Sequence, residues 1–258
     1  MQAVGIREAP VRTRHLSVTA FVAAVLCVCG TAGAWSMLRN YDNDPDLAAA
    51  MRYDSEVNKG ATREGASQSL AEKHYLAYLT RAKDPDQRAR VYVQLGVLFS
   101  TNWNKEAGES PDYAKAREYF QHALREAPES VGCPMLRARL GLATPLQTAE
   151  ECLAIRLDAY RWIESIDEKK IAEKWLRSRP GEKPIDDHIR SEMEVLRNIQ
   201  LAVISGIIGD ARHTQDPDAS LRKIADTFPN SKLSEAALEA LKPKLERGRE
   251  TGSHRAAS

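Results

Sequence analysis

Aromatic side chains make up only 6% of this 258-residue chain, and cysteine occurs four times. A core with so few rings has to be filled by aliphatic side chains. Ala, Leu, Glu, Arg and Lys dominate, and these are the strong helix formers. Alternating β-branched runs of strand length are missing after residue 40, which excludes a sheet protein. Net charge is only +1. Outside residues 1–38, which hold Arg7, Glu8, Arg12 and Arg14, acidic and basic side chains are interspersed and nearly balanced. That leaves no electrostatic footprint for nucleic acid. Beyond residue 38 there is also no Walker loop, dinucleotide fingerprint, nucleophile elbow, H-E-x-x-H or paired C-x-x-C motif. The composition is otherwise globular, 43% hydrophobic and 28% charged, and predicts an all-α protein.

The one long apolar run lies near the N-terminus. No Asp, Glu, Lys or Arg occurs from His15 to Leu38, with Arg12 and Arg14 before it and Asp42, Asp44 and Asp46 after it. Basic residues ahead of an apolar run keep the N-terminus in the cytoplasm, so the rest of the chain is expected outside it. Residues 16–38 are long enough to span a bilayer core, which takes ~20 residues. Ala32-Gly33-Ala34 also offers signal peptidase an A-x-A site. Two fates are therefore open for residues 1–38. They are a signal-anchor, giving a single-pass inner-membrane protein, or a signal peptide cleaved near Ala34, giving a periplasmic one. A lipoprotein fits less well, because Val28 precedes Cys29 and Leu26 precedes Cys27 where a small residue belongs.

Cys27 and Cys29 lie within the apolar run, leaving Cys133 and Cys152 in the exported part. A disulfide between them would contribute roughly 3 kcal/mol. Two inert thiols are the alternative. A third reading takes Cys133, before Pro134 at a helix start, as a reactive thiol.

Beyond residue 44 the chain reads as helices with punctuation. Asp-Pro-Asp occurs at 44–46, 84–86 and 216–218, each time ahead of a helical pattern, with the first Asp as cap and the proline in the first turn. Leu70, Tyr75, Leu76, Tyr78 and Leu79 share helical spacing, as do Tyr92, Leu95 and Phe99. An interruption, NWNKEAGESP, separates these from a second helical pattern at Tyr113, Ala116, Phe120 and Ala123, stopped at Pro128. Gly96, Ala116 and Ala123 lack bulk, so two antiparallel helices could approach closely there, with Tyr92, Leu95, Phe99 and Phe120 around the contact.

Tyr92-x2-Leu95-Gly96-x2-Phe99, followed by Ala116-x3-Phe120, Ala123 and Pro128, resembles one tetratricopeptide unit. Gly96 and Ala116 are twenty residues apart, against about twelve in that family, so about eight residues are inserted in the turn. The resemblance implies TPR-like helical hairpins stacked as a short α-solenoid, preceded by one N-terminal hydrophobic helix. It covers 84–128 well and 190–241 loosely. In the second stretch LRKIADTFPNSKLSEAALEAL is similar to exported tetratricopeptide proteins of the β-barrel assembly and Tol-Pal accessory groups. There Leu221, Ile224 and Pro229 take the places of Phe120, Ala123 and Pro128. Between the two stretches the patterning predicts a long helix over roughly 145–166 with a stripe of Leu146, Ala149, Leu153, Leu157 and Tyr160. A short amphipathic helix with Ile171, Trp175 and Leu176 follows. A long helix carrying Ile189, Met193, Leu196, Val203 and Ile207 comes next. The expected organisation is residues 39–62 as linker or first helix, 63–246 as the helical domain and 247–258 as a disordered tail.

Candidate contact residues are Trp103, Asn102 and Lys105 on the inserted loop, since long loops in compact helical proteins carry function, and His122 on the helix after it. Asp186, Asp187, His188, Glu192 and Glu194 crowd one helix start. His188 and Glu192 alone do not make a metal site, and the aspartates suit the helix dipole. Expected, then, are no cofactor, no catalytic residue and a protein or peptide partner. The function is a non-enzymatic scaffold for protein–protein interaction on the extracytoplasmic side of a membrane. The alternatives are a structural, oligomerising envelope protein or a thiol-dependent enzyme or redox protein using Cys133.

Overall fold

A computed structural model describes residues 44–58, 67–101, 108–143, 148–178, 181 and 186–242. These residues form ten helices and no strand. Residues 1–43, with the apolar run and its two possible fates, lie outside them, as does the tail after 242. None of the described helices is long and apolar enough to cross a membrane.

All three Asp-Pro-Asp segments start helices. Asp44 accepts from the backbone N–H groups of Asp46 and Leu47, opening α1 (Pro45–Asn58). Asp84 accepts from the N–H of Asp86 at the start of α3 (Pro85–Thr101), and Asp216 from that of Ala219 at the start of α9 (Pro217–Thr227). Each carboxylate satisfies donors that the first helical turn leaves open. α1 packs along α2 (Gln68–Leu79), where the buried Tyr75 hydroxyl donates to the buried Asp54 carboxylate at 3.0 Å.

α3 and α4 (Tyr113–Glu126) form an antiparallel hairpin. Arg88 pairs with Glu126 at one end, and the Asp112 N–H donates to the Phe99 carbonyl at the other. Between these ties Leu95, Ala116, Phe120 and Ala123 are all buried, while Pro128 is exposed just past the helix end. α5 (Cys133–Gly141) closes over the hairpin and brings Gly141 against the Phe120 ring. Nine of the 17 residues of α3 are buried, from Ala89 to Ser100, making it the central helix of the first half.

The second half is built from α6 (Ala149–Glu164), α7 (Glu168–Ser178), α8 (Asp186–Ala211), α9 and α10 (Lys232–Leu241). α6 and α7 pack along α8, and the α9–α10 hairpin leans on α8 as well. One apolar cluster spans α1–α5 and a second joins α5, α6, α8, α9 and α10. Val131, Ile166, Ile171 and Leu196 make a small third cluster. Trp162 of α6 packs against all three.

Several expectations shift. α6 opens at a Thr148–Glu151 capping box and ends at Glu164, shorter than the helix expected over 145–166. Its buried face is Cys152, Arg156, Ala159, Tyr160 and Ile163, with Leu153 and Leu157 only partly covered. Leu76 and Leu176, placed with the core by spacing, are exposed.

The Cys133–Cys152 disulfide is corrected: the two residues are thiols. Val131, two residues before Cys133, clusters with Leu196 of α8, whereas Cys152 sits beside Asp210 at the far end of that helix. Leu196 and Asp210 lie roughly 20 Å apart along a helix rising 1.5 Å per residue. A disulfide needs Cα atoms about 6 Å apart.

Candidate interaction site

The seam between α3 and α4 carries the densest group of rings in the described residues. Phe99 stacks on Tyr119 at 5.9 Å between centroids, Tyr119 on Tyr92 at 6.3 Å, and Tyr92 on His122 at 5.1 Å. Helical spacing explains the row. Tyr92 and Phe99 are two turns apart on α3, and Tyr119 and His122 one turn apart on α4. Exposure grows along it, from buried Phe99 through half-buried Tyr119 and Tyr92 to exposed His122.

α2 supplies the polar edge. Glu72 accepts from Lys115 Nζ at 2.6 Å and from the Tyr119 hydroxyl, and the Lys115 ammonium sits 4.2 Å from the Phe99 ring centroid. Burial first, and then the hydrogen bond to Glu72, hold the Tyr119 phenol well above its usual range. It therefore remains a hydrogen-bond donor at any physiological pH.

The inserted segment leaves from one end of this row. Its base is pinned by the Asp112–Phe99 backbone bond and by Glu109, whose carboxylate accepts from the Gln68 N–H at 2.8 Å. Gln68 Nε2 in turn donates to the Leu98 carbonyl at 2.9 Å. Glu109 thus assists Ser67 in capping α2. Among the proposed contact residues, Asn102, Trp103 and Lys105 lie outside the described residues. His122 lies at the open end of the ring row, with its ring against Tyr92.

Tyr92, Leu95, Phe99, Ala116, Phe120 and Ala123 share one apolar cluster, with Gly96 against the Phe120 ring and Pro128 exposed beyond it. A Cβ on Gly96 would stand 2.5 Å from Phe120 Cε1, and one on Gly141 would collide with the opposite edge of the same ring. Two glycines on different helices therefore hold one phenylalanine between backbones.

A second polar group was hidden from sequence reading. Arg156 on α6 and Asp210 on α8 pair at 3.1 Å with almost no solvent access. Burial, opposed by Arg156, pushes the Asp210 carboxyl up to about 6. Burial also raises the Cys152 thiol, with Asp210 adding to the shift, so Cys152 stays protonated and unreactive. Periodicity takes charged residues as outward-facing, and nothing local marked Arg156 or Asp210 as exceptions.

At the crowded start of α8, Asp186 and Asp187 stand in the first turn, where they favour the dipole. The His188 ring packs against Trp175, with centroids 4.4 Å apart and planes tilted by 59°, and Glu192 is taken by Lys174 at 2.9 Å. Among the described residues no three His, Cys, Asp or Glu side chains are placed to hold a metal ion. Compared with protein families, with curated proteins and with solved structures, the chain matches none.

Proposed function

We propose that this chain is a non-enzymatic helical-repeat scaffold acting outside the cytoplasm, held at or released from the inner membrane by its N-terminal segment, and binding another protein or peptide. In this reading the helices stack in the tetratricopeptide manner. The observation that carries the stacking is the Phe120 ring seated between Gly96 and Gly141. One small residue per successive hairpin, opposite one large ring, is how a repeat lets neighbouring hairpins nest.

The contact surface of this scaffold is the aromatic seam rather than a groove. Tyr92, Tyr119 and His122 offer flat, partly exposed rings on a rigid hairpin, and such anchors cost little conformational entropy on binding. Val93, Val97 and Ser100, on the flank of α3 away from the ring row, are already buried. That enclosure favours a second reading, a structural protein whose helices space or oligomerise the anchor.

Site-specific photo-crosslinking separates the two. A crosslinker replacing His122, compared with one replacing the exposed Leu238 on α10, is expected to trap a distinct protein only from position 122. Adducts between copies of this chain support the structural reading. Identical adducts from both positions, or none, refute the seam.

A further inference from the structure

The joint between α6 and α8 encloses an ion pair that water barely reaches. Arg156 lies in the middle of α6 and Asp210 in the last turn of α8, with side chains 3% and 7% exposed. A carboxylate in that last turn also opposes the helix dipole. Facing the pair from α6 is Cys152, one turn before Arg156, while Glu151 of α6 and Arg117 of α4 act on the Cys152 thiol. After α8 comes His213, whose Nδ1 lies 2.7 Å from the Gly209 carbonyl, and the Gln215 N–H then donates to Glu150 at the start of α6. Among the described residues, Arg156 and His213 are the ionisable side chains that act on the Asp210 carboxyl. The α9–α10 hairpin follows directly and packs on α8.

We propose that the Arg156–Asp210 pair makes the α6–α8 joint a pH-sensitive clasp, tight in mild acid and looser toward neutral and alkaline pH. The α9–α10 hairpin behind the joint shares that change. Two opposing effects set the sign. Arg156 favours the carboxylate, but removal from water disfavours it more, and the balance leaves the carboxyl at about 6. Opening the joint hydrates Asp210 and returns it to an ordinary carboxyl near ~3.9. The closed joint therefore holds its proton more tightly than the open one. Its extra stability is complete below the ordinary carboxyl range and is lost as pH rises through about 6. A protein outside the cytoplasm would meet such acidification directly, although the clasp does not depend on where the chain resides.

Amide hydrogen exchange of the full chain, corrected for intrinsic rates, tests this by segment. Residues 149–164 and 203–227 are expected to be roughly tenfold better protected near pH 5 than near pH 7.5, while 91–100 in α3 serve as reference. Asp210→Asn, a neutral isostere, is expected to remove the difference, and His213→Gln to keep it. The clasp is overturned if wild-type protection in those segments is flat or grows toward neutral pH. It is equally overturned if the difference survives Asp210→Asn or disappears in His213→Gln. Should Asp210→Asn fail to fold, the sign and location of the wild-type difference decide alone.

Discussion

Replacing Gly96 with alanine adds a single methyl group, yet the position is among the most constrained in the molecule. The new Cβ would meet three atoms of the Phe120 ring at 2.5, 2.6 and 2.8 Å. On the first side the ring can retreat only toward Gly141, whose backbone already touches its other edge. Relief therefore requires α3 and α4 to separate, or α5 to move with the ring. Overpacking of this kind costs about 1–3 kcal/mol, while alanine returns about 1 kcal/mol of helix propensity over glycine. The expected net loss is about 1 kcal/mol within a range of about 0–2, a fall of roughly half a molar in the urea midpoint for a slope of about 2–3 kcal/mol/M. Gly209 in α8 is the control, because a Cβ there meets nothing within 4 Å. Gly209→Ala should gain up to about 1 kcal/mol. The double variant Gly96→Ala/Phe120→Leu should be less destabilised than the sum of its parts by about 1 kcal/mol, since the shorter side chain yields the space. If Gly96→Ala is as stable as wild type, or the double variant is strictly additive, the wedge does not hold the hairpins together and the stacking argument fails with it.

Three further outcomes follow from the packing. Trp162→Ala removes the side chain shared by all three apolar clusters and should cost about 3 kcal/mol, with the two halves unfolding at separate denaturant midpoints by near-ultraviolet and far-ultraviolet dichroism; coincident transitions would argue against a keystone. Glu109→Ala deletes an acceptor at the α2 start and should lower stability by about 1 kcal/mol, while speeding proteolytic cleavage between residues 101 and 112. Cleavage at the wild-type rate would show that Glu109 does not restrain the insert. Alkylation of the native chain should modify half-buried Cys133 well before buried Cys152, and non-reducing electrophoresis should show no shift from an internal crosslink. The reverse order would place Cys152 nearer solvent than the α6–α8 joint allows.

How much of this was legible in the sequence depended on whether neighbours along the chain or across space fixed the outcome. The Asp-Pro-Asp caps were readable because the carboxylate and the donors it satisfies lie within three residues. The Gly96–Phe120 contact was readable because bulk and its absence recur at helical spacing on two adjacent helices. The role of Gly141 against the far side of Phe120 depends on where α5 docks, which no local pattern shows. α6 was misread for a related reason. Its leucines suggested one stripe, while the true buried face includes Arg156, tolerable only because Asp210, fifty-four residues later, meets it. A polar residue on the inner face breaks the hydrophobic period that sequence reading relies on. The disulfide expectation failed in the same way: an even pair of cysteines says nothing about their depth along a third helix.

These distinctions bear on what kind of scaffold the chain can be. A solenoid that grips its partner in a concave groove needs its inner helices open on one side. Here α3 is enclosed through most of its circumference, and the buried residues include Val93, Val97 and Ser100. A partner cannot reach that flank without displacing what covers it. The ring row is different, because its exposure rises from Phe99 to His122 along an element pinned at both ends by Arg88–Glu126 and Phe99–Asp112. Binding there would order few side chains and leave the core undisturbed, so affinity would depend on the rings. Under the proposed reading the two halves of the molecule would divide the work: the α2–α4 seam would present the contact, and the α6–α8 joint, with its buried ion pair, would set how firmly the remainder is held behind it.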